Sequence, residues 1–318
     1  MNKYRPFIFV EIALGLLALV LAVLMLTTRG SDSRGKVAVI VPNSDAESWD
    51  ALKYGLKMAA ADQHVDMFVV DTPEHLSVRT QQNLMKQAIL GGADALVVAP
   101  ASGKKAMAML KDEDRQVPVV ALNEPVESDS PIVNVVANDP EAMGTALTKL
   151  VSGDDDDDLT GKTIGILASD RDQLATTRTL EKLQIGVTQH GALIRWTMRA
   201  TEAALDTLPP VDVVIALDDA ATVAAGSAAA EDAINGARVY GVGCSTEVLH
   251  QLDNKAVFGL VVPDDFNRGY QSLVMAAEQL SIRLSSPKRQ VISQQTLHRS
   301  QLFSQKNQTL LFMMNDWP

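Results

Sequence analysis

The strongest constraint on the fold is an alternation that begins at Lys36. Residues 36–42, Lys-Val-Ala-Val-Ile-Val-Pro, form a short β-branched apolar run. A run that is apolar at consecutive positions predicts a strand buried on both faces. An amphipathic segment follows at 48–62, then a second strand at 65–71 and a helix at 77–90. Gly91-Gly92 closes that helix, where a left-handed cap suits glycine. Strands at 94–98 and 117–122 continue the series, with helix between them. Such βαβ alternation predicts a parallel sheet with helices on both faces.

The series restarts at Gly161. Residues 161–167 open a second set, continued by strands at 193–198, 211–216 and 238–242, with helices at 173–190 and 220–233. Two successive sets predict two similar α/β lobes with parallel sheets rather than one large sheet. The run Asp154 to Asp158 marks the turn between them. Adjacent carboxylates lack the ligand spacing and turn glycine of a calcium loop, so this run reads as a solvated, self-repelling loop.

Ahead of both sets, residues 7–26 are nearly all apolar and carry a single charge, Glu11. A helix rises about 1.5 Å per residue, so about twenty such residues match a hydrocarbon core of roughly 30 Å. Lys3 and Arg5 precede the run, which suits a cytoplasmic N-terminus. The expectation is a signal anchor: a stub, one membrane helix through 7–26 and a linker within 1–35, with the body in the cell envelope outside the membrane. A cleaved signal peptide is the alternative, but Thr27-Thr28-Arg29-Gly30-Ser31 makes a poor cleavage site. A lipoprotein would need a cysteine here, and the only one is Cys244.

The formal charge of −11 repels phosphates, so nucleic acid is not expected as a partner. A lone cysteine excludes an intrachain disulfide. Aromatic residues at 4% argue against an aromatic-rich carbohydrate platform.

The order of these segments and their junctions resembles the type I periplasmic binding proteins of the ribose/galactose-binding kind, across roughly 36–302. Trp49 with Ala51-Leu52-Lys53-Tyr54-Gly55 is similar to the family's aromatic and helix start after strand one. Gly92-Ala93-Asp94-Ala95-Leu96-Val97-Val98-Ala99-Pro100 is the most specific match. Pro118 to Leu122, Val136-Ala137-Asn138-Asp139 through Gly144, Tyr240 to Gly243, Val262-Pro263-Asp264 and Gly269-Tyr270 follow in the family's order. The resemblance implies three crossings between lobes. Lobe one would comprise 36–124 with 264–283, lobe two 125–263 with 288–303, and 304–318 would form a tail. Ligands in open α/β sheets lie beyond the carboxyl ends of the strands, so a hinged cleft between the lobes is expected.

On that basis the ligand-binding candidates are Trp49, Asn123, Glu124, Asn138, Asp139, Arg178, Asp218, Ser245 and Asp264. Trp49 either stacks on a ligand ring or anchors its own helix. Asn123-Glu124 stands where sugar-binding relatives carry Asp-Arg; Glu124 either accepts from ligand hydroxyls, pairs with a cationic ligand or is a hinge residue facing water. Arg178 is similar to a ligand-facing family arginine, or else is a surface arginine on its amphipathic helix. Asp218 reads better as a helix N-cap, with Leu217 in place of the family asparagine. Ser245 and Pro263 stand where sugar binders have an aspartate and a glutamine. An unpaired buried polar group costs about 1–3 kcal/mol, so these departures make the fold a firmer expectation than the sugar.

No nucleophile elbow, P-loop or dinucleotide fingerprint is present, and the five histidines have no metal-ligand spacing. An enzyme is therefore not expected, nor a cofactor or metal. A buried small hydrophobe is the favoured reading of Cys244. The resemblance implies capture of a small polar, sugar-like ligand for an ABC permease. The alternative is a membrane-anchored ligand sensor partnered with a histidine kinase or chemoreceptor.

Overall fold

The apolar runs become the strands of two sheets in the computed structural model, which describes residues 35–73, 76–169, 173–200, 205–282 and 286–304. The expected membrane segment 7–26 and all of the tail but Ser304 lie outside the described residues. Among the described residues no helix is long and apolar enough to cross a membrane. The described residues from Lys36 onward belong to one compact unit.

Its first part runs β1 (Lys36–Ile40), α1 (Asp50–Asp62), β2 (Asp66–Val69), α2 (Val78–Leu90), β3 (Ala95–Val98), α3 (Lys104–Asp114), β4 (Val119–Ala121) and β5 (Asn134–Asn138). The second part runs α4 (Pro140–Gly153), β6 (Thr163–Ala168), α5 (Leu174–Gln189), β7 (Leu193–Arg199), β8 (Val213–Ala216), α6 (Asp219–Ala230), β9 (Arg238–Val242), α7 (Thr246–Asp253) and β10 (Gly259–Pro263). The chain then gives α8 (Asp265–Ser281), β11 (Arg289–Ile292) and β12 (Gln294–His298). One six-stranded sheet has the order β11-β5-β4-β3-β1-β2, the other β12-β10-β9-β8-β6-β7. Every pairing is parallel except that of β12 with β10.

Alternate residues of each central strand enter opposite cores. Val37 and Val39 pack with Leu52, Leu56 and Leu273 on one face of the first sheet. Ala38 and Ile40 pack with Met85, Leu96 and Leu110 on the other. The second sheet divides likewise, with Ile164 and Ile166 on one face and Val214, Ala216 and Val239 on the other. This double burial explains the unbroken apolar runs.

The chain crosses between sheets after β5, after β10 and between β11 and β12. The lobe boundaries therefore differ from the expectation in two places. Residues 134–138 belong to the first lobe, because β5 pairs with β4 through Val120↔Asn134 and Ala121↔Val135. The segment 288–303, expected wholly in lobe two, is split at Ser293: Arg289–Ile292 pairs with β5 in the first sheet, and Gln294–His298 pairs with β10 in the second. The Asp264 N–H donates to the Ser293 carbonyl at 3.3 Å, tying the second and third crossings together.

Two local expectations also change. Gly92, with φ +91°, takes the left-handed position after α2, whereas Gly91 does not. The aspartate run is anchored as well as solvated: Asp154 accepts from the Tyr240 hydroxyl at 2.7 Å, and Asp155 pairs with Arg238. Both partners lie on β9, so the acidic turn is fastened to the second sheet.

Candidate functional site

The carboxyl ends of β4 and β5 and the first turns of α4 and α5 meet around one cavity of about 330 Å³. The first lobe supplies Asn123, Glu124, Val135, Ala137, Asn138, Arg289 and Val291, and the second Pro140, Glu141, Leu174, Ala175 and Arg178. Asp139, at the first crossing, completes the lining. The volume lies at the lower end of the roughly 300–1,000 Å³ common for small-molecule sites. A larger hollow of about 750 Å³ runs beside α4 and β12, past Lys149, Lys182 and His298. It belongs to the second lobe and its edge strand, so lobe closure cannot enclose it.

Charge in the smaller cavity is organised in pairs. Glu124 Oε1 accepts from Arg289 Nε at 2.8 Å and from Nη2 at 2.5 Å, and Nη2 also donates to the Ser128 carbonyl at 2.8 Å. Arg178 of the second lobe forms an ion pair with Glu127, on the loop between β4 and β5. This contact bridges the lobes.

Beyond Asn138 lies a second, buried cluster. Asp265 and Arg268 are each 8% exposed, and Arg268 Nη2 lies 2.8 Å from Asp265 Oδ1. Burial pushes the Asp265 carboxyl above its ordinary value, opposed by the Arg268 charge and a hydrogen bond from Asn138. Asn138 Oδ1 and Arg268 Nε are buried without a hydrogen-bond partner among the described residues.

The expected site residues thus separate. Asn123, Glu124, Asn138, Asp139 and Arg178 converge on the cavity. Trp49, Asp218, Ser245 and Asp264 do not line it. The Trp49 indole donates to the Pro42 carbonyl at 2.9 Å and packs on the first core, with Arg268 Cζ 5.9 Å from its ring. That geometry makes it the anchor of its helix. Asp218, Ser245 and Asp264 are N-caps of α6, α7 and α8, accepting from Ala221, Val248 and Asn267 N–H respectively. Asp139 caps α4 through the Glu141 and Ala142 N–H groups as well as lining the cavity. Sequence reasoning missed Arg289, Glu127 and the Asp265–Arg268 pair. An arginine on a short strand carries no sequence signal of which sheet the strand joins.

Asp219 Oδ2 accepts from the N–H groups of Cys244 and Ser245 at 3.1 and 3.0 Å, fixing the turn after β9. Burial, with the Asp265 and Asp219 carboxylates, pushes the Cys244 thiol far above its ordinary value. Cys244 is only partly buried, but the thiolate is the reactive form, so a disulfide reagent at pH 8 is expected to label it more slowly in the native chain than in the unfolded one. Labelling of the native chain at the rate of a free thiol would contradict this.

A sequence model of the periplasmic binding protein domain matches residues 37–184. Solved structures extend the likeness over both lobes. The glucose-galactose binding protein GanP of Geobacillus stearothermophilus superposes with a TM-score of 0.73 at 15% identity, covering 85% of this chain and 99% of its own. The chain has the type I periplasmic binding protein fold. A carbohydrate transporter solute-binding protein of Agrobacterium radiobacter, solved with D-arabinose, gives 0.76 at 16% identity over 88% and 100%. A chain of the XylFII-LytSN complex gives 0.72 at 13% identity over 84% and 98%. No curated protein sequence matches the chain.

Proposed function

We propose that this chain is an extracytoplasmic solute-binding protein, tethered through residues 7–26, which captures a small sugar-like ligand between its lobes for ABC-type uptake. The observation that carries this reading is the cavity shared by the two lobes, lined by Asn123, Glu124 and Asn138 of the first and by Arg178 of the second. A ligand touching both walls favours closure by the difference between its affinities for the closed and open forms. The likeness to GanP, a glucose-galactose binding protein, and to the Agrobacterium protein solved with D-arabinose supports the ligand class.

A second reading, ligand sensing beside a membrane kinase, is favoured by one observation. The apolar run 7–26 contains no cysteine and ends in a poor cleavage site, features of a retained anchor. The existence of the XylFII-LytSN complex among similar folds supports it.

A thermal-shift screen of the full chain against sugars, polyols, nucleosides and amino acids tests the capture reading. A ligand at 100 times its dissociation constant adds about 2.7 kcal/mol. With the ligand so found, Glu124→Ala or Arg178→Ala is expected to weaken binding by roughly 1–3 kcal/mol where the lost group made a buried hydrogen bond. Unchanged affinity in both variants, with the fold intact, would remove this cavity as the ligand site.

A further inference from the structure

The two arginines of the cavity are held in different ways. Arg289 is committed: Glu124 takes its Nε and Nη2, and Ser128 takes Nη2 again. Arg178 is 28% exposed, and its partner Glu127 is 75% exposed on a loop of the opposite lobe. An ion pair whose carboxylate stands largely in water gives up that carboxylate at little cost. The guanidinium meanwhile stays on the second turn of α5, beside Leu174 and Ala175 of the same cavity wall.

We propose, resting on the capture reading above, that the ligand is an anionic polyhydroxy compound, a uronate or aldonate. Its carboxylate displaces Glu127 from Arg178. The seat is already shaped for that group, since the chain's own carboxylate occupies it. A guanidinium fork matches a carboxylate in two parallel hydrogen bonds, which a hydroxyl cannot reproduce. The first turn of α5 adds the positive end of its dipole on the same side.

The other carboxylates of the cavity do not cancel this preference. Glu124 is neutralised by Arg289, and Asp139 is occupied in capping α4. Glu141 lies exposed in the first turn of α4, where the helix end offsets its charge. The Asn123 amide then meets a hydroxyl, while the Asn138 amide stays on Asp265. A neutral hexose would have to leave Glu127 on Arg178 and forgo the strongest donor in the cavity. Glu127 therefore acts as an internal competitor, which holds the lobes bridged when no ligand is present.

Isothermal calorimetry on the full chain in neutral detergent tests this with matched pairs that differ only in the acid group: D-galacturonate and D-galactose, D-glucuronate and D-glucose, D-arabinonate and D-arabinitol. D-galactosamine serves as the cationic probe. In at least one pair the acid is expected to bind roughly tenfold or more tighter than its neutral partner. Glu127→Gln, an exposed isosteric change, is expected to tighten acid binding severalfold and leave neutral sugars unaffected. Arg178→Gln is expected to abolish the acid's advantage. Equal or tighter binding of the neutral members, preference for D-galactosamine, or an acid affinity indifferent to Glu127→Gln would overturn the proposal while leaving ligand capture standing. If no sugar, acid or amine binds at all, the capture of sugar-like ligands falls with it.

Discussion

Replacing Gly55 or Gly269 with alanine is expected to destabilise the protein by roughly 1–3 kcal/mol, the range of overpacking changes. The two glycines lie where α1 and α8 cross, and each opposes the backbone of the other helix. A Cβ at Gly55 would stand 2.0 Å from the Phe266 carbonyl oxygen, and one at Gly269 would stand 2.1 Å from that of Leu52. Non-bonded carbon atoms prefer roughly 3.5–4.0 Å, and a backbone oxygen cannot turn aside as a side chain can. The helices must therefore part, which loosens Leu52, Leu56, Leu273 and Ala276 in the core beneath them. Alanine returns about 1 kcal/mol of helix propensity, so the strain must exceed that to be seen, and at these distances it does. The double variant is expected to cost less than the sum, because one separation relieves both clashes. Gly153→Ala at the end of α4, with nothing within 4 Å of its Cβ, is the control and is expected to be neutral or better. Urea unfolding decides: a Gly269→Ala protein as stable as the parent would mean that the crossing is looser than described.

How far the sequence could be read depended on whether a feature was set locally or by a distant partner. β1, β3 and β8 were legible because strands buried on both faces must be apolar at every position. The cap at Asp218 was legible because the residue type and the strand-to-helix junction together imply it. β11 was not. It pairs with β5 more than a hundred positions away, and one residue, Ser293, separates it from a strand of the other sheet. Periodicity reports which face of a strand is buried but not which sheet receives it. The same limit hid part of the site. Asn123, Glu124, Asn138 and Arg178 sit on junctions that topology alone places at the cleft, whereas Arg289 reaches Glu124 only because β11 joins the first sheet. The aspartate run was read correctly as a solvated turn, but its anchors, Arg238 and Tyr240, were hidden for a related reason, since they lie more than eighty positions away.

Asp265→Ala is expected to cost about 3–5 kcal/mol, the penalty for leaving a buried charge without its partner. Arg268 would keep its guanidinium in a site 8% exposed, with Nε already unpartnered among the described residues and the Trp49 ring 5.9 Å away as its remaining support. The intact pair is itself expensive, because two charges have left water. Asp265→Leu combined with Arg268→Met is therefore expected to be neutral or stabilising, although each residue changed alone is damaging. The pH dependence provides an independent check. The folded-state pKa of Asp265 is raised, so between the unfolded value of about 3.9 and that raised value the native chain binds the proton more readily than the unfolded one. The contribution of this group is then fully present below the unfolded value and is lost as pH rises through the folded one. The apolar pair lacks that loss, so its advantage over the parent should be smallest in acid and reach its full size once Asp265 is ionised. An Asp265→Ala protein within 0.5 kcal/mol of the parent by urea unfolding, or an advantage of the apolar pair that does not change with pH, would show that water reaches this pair and that its burial is not what shapes the head of α8.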